Sequence, residues 1–144
     1  MKKILLVLLT VLLLLSLSGF ALAAFKGERE HDSTREELRE IIALLLIPEV
    51  QKAADAFYRP YLSITPRVDA TFAGIESVIT EQNYTGYTVV IETEPYVGAH
   101  ISVGRDRVTL KISASGRVAV THFEHLSSYP LPEHLMSLIK HPLP

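Results

Sequence analysis

Val108-Thr109-Leu110-Lys111-Ile112-Ser113 puts three aliphatic side chains on one side of an extended chain and three polar ones on the other. That period of two is the signature of a strand with one buried face and one wet face. The same alternation sets Tyr87, Val89, Ile91 and Thr93 against Thr88, Val90, Glu92 and Glu94. Upstream, Val68, Ala70 and Phe72 alternate with Asp69, Thr71 and Ala73, and the segment continues to Val78-Ile79. Downstream, Ser113-Ala114-Ser115-Gly116 predicts a tight hairpin into a last strand led by Val118 and Val120, with Phe123 turned inward after a bulge. Glu81-Gln82-Asn83 reads as a turn, and Pro95 to Gly104 as a loop. Four strands joined by short turns predict an antiparallel sheet.

Before Pro66 the period is helical. Ser33-Thr34-Arg35-Glu36 fits a capping box with Ser33 as N-cap. Leu38, Ile41, Ile42 and Leu45 follow on one predicted face, and Val50, Ala53, Ala54 and Phe57 on a second stretch. Pro48 is expected to kink or restart the helix, and Arg59-Pro60 to end it. Helix followed by strands gives an α+β domain, the kinked N-terminal helix covering the buried face of a four-stranded antiparallel sheet. A cystatin-like or NTF2-like wrap is the expected arrangement. After two prolines, Pro130 and Pro132, the tail offers a short C-terminal helix with Leu135, Met136, Leu138 and Ile139 on one side.

Ile41 to Ile47 is apolar at all seven positions, nearly two helical turns, so it presents aliphatic side chains on every face. A single sheet covers one of them. Either the tail or a protein partner, including a second copy, must cover the rest. The two prolines are expected to hold the tail away, which favours a partner.

Lys2-Lys3, the apolar run Ile4 to Leu17 and Ala21-Leu22-Ala23 form a tripartite export signal. The boundaries follow: signal peptide 1–23, flexible leader 24–32, α+β domain 33–126, proline-containing tail 127–144. The alternative is an uncleaved anchor, since Ile4 to Ala24 is 21 residues long. With cleavage the protein is secreted or extracytoplasmic and meets the membrane only in transit. The mature part keeps 12 of the 14 basic residues and all 16 acidic ones, a formal charge of −4, which offers nucleic acid no basic surface. No cysteine is present, so thiol catalysis and Cys-based zinc sites are excluded.

The elements also carry a resemblance. Asp32-Ser33-Thr34, Leu46-Ile47-Pro48-Glu49-Val50-Gln51-Lys52-Ala53 and Phe57-Tyr58 resemble the DUF3888 family. So do Val97-Gly98-Ala99-His100, Gly104, the strand Val108 to Ile112, and Val118 to His125; Ala99 stands where the family pattern has proline. The resemblance covers roughly Asp32 to His125. It implies a small exported protein of Bacillus-like bacteria, and no activity.

Candidate chemistry is thin. His122, Glu124 and His125 could supply two imidazoles and a carboxylate to a metal, but a zinc site normally declares three or four ligands, so none is expected. Gly98, His100 and Gly104 mark a recognition loop, or a loop braced by His100. Glu92 and Glu94 could act as paired acids, though solvated glutamates on a wet face are commoner. No cofactor is implied. The expected function is a non-enzymatic interaction or binding module of the cell envelope or medium. The alternatives are a small His-dependent or metal-dependent hydrolase, or an apolar-ligand carrier.

Overall fold

A computed structural model describes residues 34–81 and 85–144. The expected signal peptide 1–23, the expected leader 24–32, the expected Ser33 cap and residues 82–84 of the expected turn lie outside the described residues. The chain divides into two compact units, Met1–Leu38 and Arg39–Pro144. The described part of the first is helical; the second carries the core.

One helix, α1, covers residues 34–58. Its buried stripe is Ala43, Leu46, Val50, Ala54 and Tyr58, each at most 4% exposed. Spacings of three and four keep these side chains on one face. The expected first face is therefore corrected: Ile41 and Leu45 point outward and Ile42 is half-buried. A run apolar at every position fits any rotation of the helix. The choice is made downstream, where Val50, Ala54 and Tyr58 fix a stripe that runs back through Leu46 to Ala43.

The expected restart at Pro48 is also corrected, because α1 stays helical through it. Proline frees the carbonyl of residue 44. Leu44 is 59% exposed and Pro48 is exposed, so the freed carbonyl is on the side of the helix open to solvent. The helix ends before Pro60, as the sequence predicts.

Gln51 fastens the following connection to the helix. Its side chain donates to Pro66 O (2.9 Å) and accepts from Val68 N (2.7 Å). Residues 68–72 are not strand. Asp69 accepts from Thr71 N and caps a 3-10 turn, Ala70–Phe72. A side chain offering the backbone this local partner competes with the sheet ladder. Strands β1 (Ala73–Thr80), β2 (Gly86–Thr93), β5 (Gly104–Ser113) and β6 (Val118–Ser128) then form one antiparallel sheet in the order β1-β2-β5-β6. The loop between β2 and β5 contains a miniature hairpin, β3 (Tyr96–Val97) paired with β4 (Ile101–Ser102).

The hairpin between β5 and β6 turns at Gly116, whose φ of 79° requires glycine-like freedom. The register shifts between Thr109 and Leu110, whose partners are His122 and Val120. This bulge brings Phe123 back to the inner side, against Phe57, while His122 and Glu124 stay exposed. The inner face carries Val89, Ile91, Val108 and Leu110, all at most 1% exposed. With α1 they form the core.

The tail joins that core. Leu131 is buried, and Leu135, Leu138, Ile139 and Leu143 pack against it. A 3-10 segment, Glu133–Leu138, stands where a short helix was expected. Ser63 N donates to Leu138 O (2.8 Å) and Lys140 N to Tyr61 O (2.7 Å). The expectation that Pro130 and Pro132 hold the tail away is thus corrected, since the tail packs on the core, while Ile41, Leu44 and Leu45 keep 51%, 59% and 72% of their surface.

Candidate functional site

Two features combine unusual geometry with chemistry. The first is a buried polar relay. Along β5, inward positions alternate from Gly104 through Asp106, Val108 and Leu110, so Asp106 places a carboxylate in the core at 0% exposure. Such a group is tolerated only when its oxygens are partnered. Tyr58, from α1, donates its hydroxyl to Asp106 at 3.0 Å, and His125 Nδ1 lies 2.6 Å from Asp106 Oδ1. His125 Nε2 in turn lies 2.7 Å from Ser128 Oγ, and that hydroxyl donates to Pro144 O (2.8 Å). The Phe57 ring stacks on the imidazole at 4.8 Å.

Burial pushes the Asp106 carboxyl above its usual range, while the hydrogen bonds from His125 and Tyr58 pull it back. Burial, with the Asp106 charge beside it, pushes the Tyr58 hydroxyl far up, so it stays a donor. Gly104 is required for the close approach. A Cβ there would lie 2.5 Å from Ser127 O, 2.8 Å from His125 Cε1 and 3.0 Å from the Tyr58 hydroxyl. Beside Ser128 opens a crevice of about 360 Å³, lined by Tyr129, Pro130, Leu131, Met136, Ile139 and Leu143.

The second feature is the outer ridge of α1, where Ile41, Leu44 and Leu45 stand exposed on the side opposite the buried stripe.

The residues singled out from sequence are dispersed. His125 faces the core while His122 and Glu124 face outward, so the three do not converge. Among the described residues no group of three metal-capable side chains gathers. Gly98 and His100, with φ of 55° and 61°, form the turn of the β3–β4 hairpin. The His100 ring packs on Tyr96 (4.6 Å) and Phe72 (5.4 Å). Tyr96 donates to Asp69 (2.7 Å), and that bond holds the Asp69 carboxyl below its usual range. His100 therefore braces the loop. Gly104 does not share that loop; it opens β5 and is buried in the relay.

Glu92 is held by Arg105 and, at 2.6 Å, by Arg107, and these guanidiniums keep its carboxyl low. Arg107 also reaches Glu76 (2.9 Å) and Glu124 (3.3 Å), bracing the wet face across all four strands. Glu94 accepts from Tyr129 (3.2 Å) and Ser102 (3.4 Å). The two acids thus serve separate contacts.

Sequence reasoning missed Asp106, Ser128 and the part played by Tyr58. Two signals were present: an acid on the apolar parity of β5, and a tyrosine four residues beyond Ala54 on the buried stripe.

No curated protein and no solved structure matches the chain. A family model described as a protein of unknown function (DUF3888) matches residues 38–127, well over half of the sequence, and spans the sheet from β1 to all but the last residue of β6. The helix–proline junction, the Gly98-to-His100 turn and the final strand that supplies His125 all fall within that span, and the chain belongs to the DUF3888 family.

Proposed function

We propose that this chain is an exported interaction module of the bacterial cell envelope or medium, and that it docks through the outer ridge of α1. The observation carrying this reading is the contrast within one helix: Leu44 and Leu45 are more than half exposed, beside Leu46 at 3%. A large aliphatic side chain left in water forgoes about 1.5–3 kcal/mol of burial. Three clustered on one ridge suit a surface that a partner covers. Export rests on Lys2-Lys3, the apolar run and Ala21-Leu22-Ala23. Among the described residues, no helix is long and apolar enough to cross a membrane. The cystatin-like or NTF2-like wrap belongs to the same proposal, supported by one helix lying along one antiparallel sheet.

A photo-crosslinking amino acid at Leu45, in cells exporting the protein, tests the reading. One defined adduct is expected, lost when Ile41 and Leu44 are both changed to Gln. The absence of an adduct at Leu45, or an adduct indifferent to those changes, would sink the docking surface.

A further inference from the structure

The relay has a connectivity that a structural brace does not need. A buried acid holds one nitrogen of an imidazole, and the other nitrogen meets a serine hydroxyl on an exposed residue, at 2.6 Å and 2.7 Å. This is the order acid–imidazole–hydroxyl by which serine becomes a nucleophile. Tyr58 fixes the acid from behind, and Phe57 fixes the imidazole plane. The crevice beside Ser128 supplies apolar walls from Leu131, Met136, Ile139 and Leu143.

We propose that Ser128 is an acyl-accepting nucleophile activated by His125 and Asp106, taking esters whose small apolar acyl group sits in the adjoining crevice. This is independent of docking through α1. In the structure the Ser128 hydroxyl donates to Pro144 O. Rotation about its Cβ–Oγ bond redirects the proton to His125 Nε2. With Nδ1–H donating to Asp106, Nε2 accepts that proton as Oγ attacks the ester carbonyl carbon. The Oγ–acyl bond forms and the ester C–O bond breaks. The leaving alkoxide takes the proton from Nε2, leaving an acyl-serine and an alcohol; water attacks the acyl group by the same proton path in reverse.

The backbone near Ser128 sets the pace. Tyr129 N is bonded to Val103 O at 2.9 Å, and Pro130 has no N–H, so neither donates to a developing oxyanion. Acylation and deacylation are both slow without those donors, and an activated ester, whose leaving group departs easily, forms the acyl-serine faster than water removes it.

The test is labelling of the purified chain with a fluorophosphonate, followed by peptide mapping. The label is expected on Ser128, absent in Ser128→Ala, and slowed about 100-fold or more in His125→Gln, the usual scale of general-base assistance. Because His125→Gln perturbs a partly buried network, a second measurement uses the unaltered chain. p-Nitrophenyl butyrate should leave a butyryl group on Ser128, seen by intact mass, and protect it from the phosphonate. No label on Ser128, or a rate unchanged by His125→Gln in a folded variant, or no butyryl adduct, would overturn the proposal.

Discussion

Truncation after Ser128 is expected to unfold the domain at physiological temperature. The segment removed carries Leu131, 8% exposed, with Leu135, Leu138, Ile139 and Leu143 packed on the core. It also carries the partners of Ser63 N, Tyr61 O and Glu94. Full burial of one such side chain is worth about 1.5–3 kcal/mol, and these are buried to different degrees. The sum is still several kcal/mol, against a net stability of about 5–15 kcal/mol for a domain of this size. A domain of about 100 residues loses roughly 4–8 °C of melting temperature per kcal/mol, so a fall of 15 °C or more is expected by circular dichroism. An unchanged melting curve would show that the tail only decorates the core.

Asp106→Ala is expected to be the most damaging single substitution, costing about 3–5 kcal/mol. It strands the Tyr58 hydroxyl and His125 Nδ1 in the interior and opens a cavity between α1 and β5. Tyr58→Phe removes one donor and should cost about 1.5–3 kcal/mol, as for a hydrogen bond to a charged acceptor. The pH dependence has a definite sign. Burial raises the Asp106 carboxyl in the folded state, so the fold holds that proton more tightly than the unfolded chain. The associated stability is present below the unfolded value and lost as pH rises through the folded one. The cost of Asp106→Ala should therefore grow between pH 7 and pH 4, read from urea midpoints. Glu92 and Asp69, both lowered, work the other way: their contribution is present at neutral pH and lost as pH falls through their folded values. A cost for Asp106→Ala that shrinks toward acid would contradict the assigned network.

The sheet was legible because its two central strands, β2 and β5, keep a period of two. Val89, Ile91, Val108 and Leu110 could be placed inward from alternation alone, and even the bulge before Phe123 shows in the residues. The helix was legible in extent but not in rotation. Seven apolar residues from Ile41 to Ile47 give no polar position to orient it, and the register comes from Val50, Ala54 and Tyr58. Two-residue strands such as Tyr96–Val97 carry too little pattern to be seen. The relay was half visible. His125 drew attention for the wrong neighbours, since His122 and Glu124 lie across the strand from it. Of its true partners, Asp106 comes from another strand, and Ser128 lies three residues further along β6, past a second register shift opposite Arg105 and Asp106, where spacing gives no guide.

Leu45 and Leu46 are adjacent in sequence and opposite in fate, at 72% and 3% exposed. Their urea unfolding, measured in dilute protein as Leu45→Gln and Leu46→Ala, tests most directly whether the outer ridge of α1 is surface kept for a partner. The ridge reading predicts that Leu45→Gln changes stability by no more than about 0.5 kcal/mol, while Leu46→Ala costs about 2–5 kcal/mol. A loss of several kcal/mol at Leu45 would contradict it, because the ridge would then be core.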